Sequence, residues 1–105
     1  MYKIALICEH GASTGICVHK MNEASQKLGI ESDIAAYSSA KLDFIIDKMD
    51  FILLGPQLLY KIDRFRELYP EHSARMAVIN PTDFGAMDGE KIIKDTIALI
   101  MSNRG

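Results

Sequence analysis

The sequence has no tryptophan, three prolines and two cysteines in 105 residues. Two cysteines, Cys8 and Cys17, cannot build a disulfide framework, so free thiols in the cytoplasm are the expected state. Long apolar runs are also missing. Stretches such as residues 52–54 and 97–101 fall far short of the ~20 residues that cross a bilayer. The start, "MYKIALI", carries no signal-peptide cleavage pattern and reads directly as a strand. Nor is there a charge excess of either sign. A formal net charge of −2 gives no basic patch for a nucleic acid. What is present is an apolar fraction of 49%, with six methionines sharing the packing, enough for one core in a single domain spanning residues 1–105.

Four strand-like runs alternate with four helix-like patterns, with no repeat or linker between them. Residues 2–7 read as the first strand. Residues 13–28 read as a helix, because Cys17, Met21, Ala24 and Leu28 recur at intervals of four, three and four. Gly29 is placed to end it. Residues 31–37 form a weaker strand, and residues 39–48 a helix with Leu42, Ile45, Ile46 and Met49 on one side. Residues 51–54 are continuously apolar, as in a strand covered on both faces. Pro56 suits the first turn of a helix that buries Leu58, Ile62, Phe65 and Tyr69 and closes at Pro70. Residues 75–79 give the fourth strand, residues 80–88 a loop of turn formers, and residues 89–101 a last helix with Ile93, Ile97 and Ile100 inward. Strict β-α alternation predicts an α/β fold: a small, open, doubly wound four-stranded parallel sheet, helices on both faces, right-handed crossovers. In such sheets ligands bind at the carboxyl ends of the strands, where strand order reverses. Order 2-1-3-4 would make strands 1 and 3 neighbours and bring the loop carrying Cys8 beside the loop carrying Gln57.

The stretch "CEHGAST", residues 8–14, is where chemistry is expected. Cys8 ends the first strand, and the loop leads straight into a helix. The backbone N–H groups of such a loop converge on one point, and the helix dipole adds positive potential there, which makes an anion cradle. The same field favours the nucleophilic form of a thiol. Gly11 permits close backbone approach, while Ser13 and Thr14 can donate to phosphate oxygens or cap the helix. A cysteine at a strand end is also a common small buried hydrophobe; the glycine- and hydroxyl-rich loop tips Cys8 toward function. Cys17 lies on the apolar stripe of the helix and reads as core. Phosphatases that use cysteine carry C-x5-R, whose arginine clamps the phosphate. Here that position is Thr14, and the loop has no arginine. This suits a phosphocysteine that is passed on to an acceptor other than water.

At this point the chain resembles the EIIB component of the bacterial sugar phosphotransferase system, lactose/cellobiose (chitobiose) type. "KIALICEHGASTGICVHKM", "DFILLGPQLLYKIDRF" and "VINPTDFGAMDGEKII" are similar to three blocks of that family, in the right order and over almost the whole chain. The resemblance implies a fold similar to low-molecular-weight tyrosine phosphatase. It implies that Cys8 accepts a phosphoryl group from a phosphohistidine of an EIIA partner and passes it to a sugar, expected to be a β-linked disaccharide, held by a membrane EIIC partner. The cradle would then be Glu9, His10, Gly11, Ala12, Ser13 and Thr14, with Gln57 and Phe84 as further candidates nearby. The protein would be cytoplasmic, associated peripherally with EIIC, and need no cofactor or metal. Three positions depart from the pattern. Glu9 replaces a small polar residue and would repel a thiolate and a phosphate unless it points outward, though a protonated His10 could offset it. Ala12 replaces methionine, and Phe84 stands where tyrosine is common.

Other residues have plainer readings. Gln57 also suits hydrogen bonding within its own turn, and His10 also suits a solvated loop position. His19 and His72 read as surface residues, and no metal spacing links the three histidines. Asp83 and Asp88 suit turns and the cap of the last helix. Two other functions compete: a small cysteine phosphatase or arsenate reductase of similar architecture, which the missing arginine disfavours, and a non-catalytic regulatory module that binds another protein.

Overall fold

The two continuously apolar runs occupy the middle of one sheet. In the computed structural model, which describes residues 1–9 and 11–104 without the side chains of residues 11–13, β1 (Tyr2–Ile7) lies between β2 (Ser32–Tyr37) and β3 (Phe51–Leu54), and β4 (Met76–Val78) extends the far edge. His10 and Gly105 lie outside the described residues. All pairings are parallel and the order is β2-β1-β3-β4, as expected. Every residue from Ile4 to Ile7 and from Phe51 to Leu54 is buried, because a central parallel strand is covered on both faces. The edge strands are only partly buried.

Strand alternation divides the core in two. Ile4, Leu6, Phe51 and Leu53 point to one face, where Cys17 and Met21 of α1 (Gly11–Lys27) meet Ile92, Ile93 and Ile100 of the terminal helix. Ala5, Ile7, Ile52 and Leu54 point to the other, packed under Leu42, Ile46, Leu58, Ile62 and Phe65. α1 stops where expected: Gly29 takes φ 69°, and the Ile30 N–H closes on the Ser25 carbonyl at 2.9 Å.

Three readings need correction. Residues 39–48 are not one α-helix but a single α-turn, α2 (Leu42–Ile45), between 3-10 segments Ser39–Lys41 and Ile46–Lys48. The helix after Pro56 likewise begins as a 3-10 segment, Pro56–Lys61, before α3 (Ile62–Leu68). In both geometries i and i+3 share a side, so the apolar spacing alone does not tell them apart. At Tyr69 the chain leaves the helical region (φ −128°, ψ 64°), as a residue before proline must, and Pro70 starts a further 3-10 segment, Pro70–Arg75. Thirdly, the expected loop at residues 80–88 holds a short helix, α4 (Pro81–Gly85). The Asn80 carboxamide caps it, accepting from Thr82 N–H at 2.8 Å and Asp83 N–H at 3.3 Å, with proline in the first turn. A cap and a helix-initiating proline look like turn formers when read only by composition. Asp88 then caps α5 (Gly89–Arg104), accepting from Lys91 N–H at 3.1 Å, as expected. Asp83 binds the Lys91 ammonium at 3.2 Å and so ties α4 to α5.

α5 crosses α1 at Gly89. A methyl group there would stand 2.7 Å from the Met21 nitrogen and collide with the Lys20 carbonyl. The two helix backbones touch at this point, which sets the seat of α1 on the sheet.

Candidate active site

Backbone pairing carries the strand ends into a shared edge. The Cys8 N–H donates to the Tyr37 carbonyl at 3.1 Å, the Gly55 N–H to the Ile7 carbonyl at 3.1 Å, and the Ile79 N–H to the Leu54 carbonyl at 2.9 Å. The segments after β1, β2 and β3 therefore leave side by side from the carboxyl end of the sheet. Cys8 sits at the centre of that edge, 8% exposed. It shares a cavity of about 250 Å³ with Glu9, Thr14, Ala36, Tyr37 and Ser38. That is smaller than the ~300–1,000 Å³ of sites that enclose a drug-sized molecule. A phosphoryl group is small enough for the space.

The helix begins at Gly11, two residues earlier than its apolar stripe indicates, so Ser13 and Thr14 stand within its first turn and neither caps it. This brings the first turn of the helix, with the positive end of its dipole, to the edge occupied by Cys8. Thr14 is buried in the cavity wall. Glu9 is exposed, and its carboxylate accepts a hydrogen bond from the Ser39 hydroxyl, which draws it toward the connection after β2. Glu9 therefore stays at the cavity with Cys8, its carboxylate tied by a hydroxyl donor 30 residues away that offsets part of its charge. The expectation for His10 lies outside the described residues, as do the side chains of Gly11, Ala12 and Ser13.

Gln57 comes close to the sulfur through Gly55. The point where a Gly55 methyl group would sit is 3.7 Å from Cys8 Sγ and 2.5 Å from Gln57 Oε1. Phe84 does not join this group; it is buried in the core between α4 and the α1/α5 layer and does not line the cavity. Cys17 is fully buried, and burial pushes its thiol up to about 11, so it stays protonated at neutral pH. Each of the four arginines is engaged away from the cavity: Arg64 with Glu67, Arg66 with the Met76 carbonyl, Arg75 with the Met49 carbonyl and Arg104 with Asp50. No guanidinium clamp of the phosphatase kind lines it.

His19 is exposed beside Glu23, as expected of a surface residue. His72 is not: its side chain is 13% exposed, wedged between Asp47 at 2.8 Å and the Arg75 guanidinium. Nearby, the Tyr69 hydroxyl donates to Asp43, and that bond, with burial, pushes it up to about 12. These contacts strap α2 to α3, away from the cysteine. No group of three or more His, Cys, Asp or Glu side chains among the described residues could hold a metal ion. None of the described helices is long and apolar enough to cross a membrane.

Reading the loop alone misses the β2 wall (Ala36, Tyr37 and Ser38), the Ser39 bond and the Gly55 notch. The signal for the wall was available, since the order 2-1-3-4 pairs Ile7 with Tyr37.

Comparison with known proteins places this geometry. Residues 3–95 match the family described as "PTS system, Lactose/Cellobiose specific IIB subunit". The chain is 30% identical over 102 residues to the oligo-beta-mannoside-specific EIIB component of Bacillus subtilis, covering 97% of this chain and 99% of that one. It is 34% identical over 95 residues to the galactose-specific EIIB component of Lactococcus lactis subsp. cremoris, covering 86% and 88%. The cellobiose-specific EIIB component of Lactococcus lactis subsp. lactis gives the same identity and coverage. Among solved structures, the cellobiose-specific phosphotransferase IIB component of Borrelia burgdorferi superposes with TM-score 0.81 at 28% identity, over 96% of this chain and 93% of that one. The lactose-specific IIB component domain of Streptococcus pneumoniae has TM-score 0.80 at 11% identity, over 92% and 95%, and so shares the fold. The chain belongs to the lactose/cellobiose-specific IIB family of the sugar phosphotransferase system and is one of its phosphocarriers.

Proposed function

We propose that Cys8 is the phosphoryl acceptor, taking the group from a phosphohistidine of EIIA and yielding it to a sugar hydroxyl presented by EIIC. EIIB components are phosphotransferases, and their place in the system implies EIIA and EIIC partners in general. The observation that carries the assignment is the position of the sulfur. Cys8 lies at the mouth of a small cavity on the carboxyl edge of the sheet, in front of the first turn of α1, where backbone donors and the helix dipole favour an anion.

In the first transfer the S–P bond forms as the P–N bond breaks. The P–N electron pair returns to the imidazole, and the thiol proton ends on the ring, so the phosphoryl dianion crosses without change of charge. The backbone N–H groups of residues 11–14 cradle its oxygens, and the Thr14 hydroxyl stands in the cavity wall to add a further donor. No arginine engages the dianion, so hydrolysis lacks its usual clamp and the group waits for the next acceptor. The Ser39 hydroxyl, donating to the Glu9 carboxylate beside the same cavity, offsets part of the charge that the incoming group would meet. The sugar is a β-linked disaccharide bound by EIIC, which selects it. The protein acts in the cytoplasm, at the inner face of EIIC.

The test is incubation of Cys8→Ser and Cys17→Ala with phosphorylated EIIA, followed by intact-mass measurement at mildly alkaline pH. Cys8→Ser is expected to gain no phosphoryl mass and Cys17→Ala to gain it as the parent does. A phosphoryl adduct on Cys8→Ser that is absent from Cys17→Ala would overturn the assignment.

A further inference from the structure

Gly55 poses a question that the transfer chemistry of Cys8 does not answer. Its backbone angles, φ −58° and ψ 151°, suit any residue. What excludes a side chain is occupancy: a methyl group would lie 2.5 Å from Gln57 Oε1 and 3.7 Å from Cys8 Sγ. The Gln57 side chain, on an otherwise exposed residue, folds back over the glycine, so its amide oxygen and the sulfur flank the same point, 2.5 and 3.7 Å from it. Yet among the described residues the Gln57 amide makes no hydrogen bond. Its two N–H donors and its oxygen are unspent. A half-turn about the last torsion exchanges oxygen and nitrogen at little cost.

We infer that Gln57 is a catalytic residue of the phosphoryl transfer, its amide donating to a phosphoryl oxygen on Cys8 from the β3 side, and that Gly55 is the notch that admits it. This rests on the reading of Cys8 as acceptor. The α1 amides approach the phosphorus from the loop side only. Charge spread over three equatorial oxygens in the transition state leaves those on the β3 side in need of a donor. A neutral amide supplies one without the permanent charge of an arginine, so it steadies the transferring group and does not trap it.

The experiment is single-turnover transfer from phosphorylated EIIA to the full chain, with Gln57→Ala, Gln57→Glu and Gly55→Ala compared with the parent, and the ³¹P chemical shift of the phosphocysteine recorded for each. Gln57→Ala is expected to lower the maximal rate about 10- to 100-fold, with the half-saturating EIIA concentration within about twofold of the parent's, as for a group lost only at the transition state. Gln57→Glu keeps the shape but adds charge and is expected to be slower still. Gly55→Ala keeps the amide but expels it, and is expected to match Gln57→Ala in rate and in ³¹P shift. Maximal rates within about twofold of the parent for both Gln57 variants, or a loss confined to half-saturation, would overturn the inference and leave Cys8 as acceptor. If peptide mapping of the parent finds the phosphoryl group anywhere but on Cys8, both readings fall together.

Discussion

Replacing Gly89 by alanine is expected to loosen the helix that carries the cysteine loop. In the first turn of a helix, glycine to alanine ordinarily stabilises by about 0.5–1 kcal/mol, through propensity and a less flexible unfolded chain. Here the new methyl would stand 2.7 Å from the Met21 nitrogen and strike the Lys20 carbonyl. Ordinary contact begins near 3.4 Å, so α5 and α1 would have to part by roughly 1 Å, enough to forfeit a quarter to a half of each dispersion contact across the seam. The obstacles are backbone atoms, which cannot rotate aside. The interface that would open contains Cys17, Met21, Ile92 and Ile93. Overpacking costs about 1–3 kcal/mol, and the rigidity of this contact points to the upper end, about 3 kcal/mol. In a domain of this size that lowers the melting temperature by roughly 12–20 °C. The measurements are urea unfolding followed by circular dichroism, and scanning calorimetry. Gly15→Ala is the control: it lies in α1 with nothing within 4 Å of the new methyl, and is expected to stabilise by about 0.5–1 kcal/mol. A Gly89→Ala protein as stable as the parent would refute the reasoning, because it would show that the two helices do not meet backbone to backbone.

Two further outcomes are expected. The parent should lose stability as pH rises from about 9 toward 11: the Cys17 thiol ionises near 9 when unfolded and only at about 11 when folded, so the unfolded chain holds fewer protons in that window, a loss of up to about 2 kcal/mol. Cys17→Ala should cost on the order of 1 kcal/mol at pH 7 and show a shallower slope from pH 9, with Tyr69 still contributing above about pH 10; a slope as steep as the parent's between pH 9 and 10 would assign it to other groups. Ser39→Ala should remove one hydrogen-bond donor from the Glu9 carboxylate, leave more of its charge facing the incoming dianion, and slow phosphoryl acceptance about two- to fivefold at low salt, fading as screening rises. Restoration of the rate in the Ser39→Ala, Glu9→Gln double variant would confirm charge as the cause, and a persistent defect would assign the effect to packing.

The sequence by itself determined the parts that depend on neighbours along the chain. The runs "KIALI" and "FILL" can only be strands covered on two sides, Gly29 can only be a left-handed stop, and β-α alternation leaves a parallel sheet as the economical way to bury them. Placing Cys8 at the end of the first strand, in front of a loop entering a helix, followed from the same local signals, as did the absence of a nearby arginine. Periodicity could not separate a 3-10 turn from an α-turn at residues 39–48, since i and i+3 share a side in both, nor see a helix in "NPTDFG", where cap and proline imitate a loop. Its view of His72 failed for a related reason: a charged helical stretch looks solvated until Asp47, from another segment, and Arg75, three residues on, close over the ring. The tertiary structure alone decided what surrounds the sulfur. Tyr37 and Ser38 form one wall because β2 pairs with β1, Ser39 reaches Glu9 across that pairing, and Gly55 and Gln57 come to Cys8 because β3 ends beside β1. These contacts join residues about 30 to 50 positions apart. No spacing rule along a single element encodes them, since they depend on which strands are neighbours and on how much room a missing side chain leaves between them.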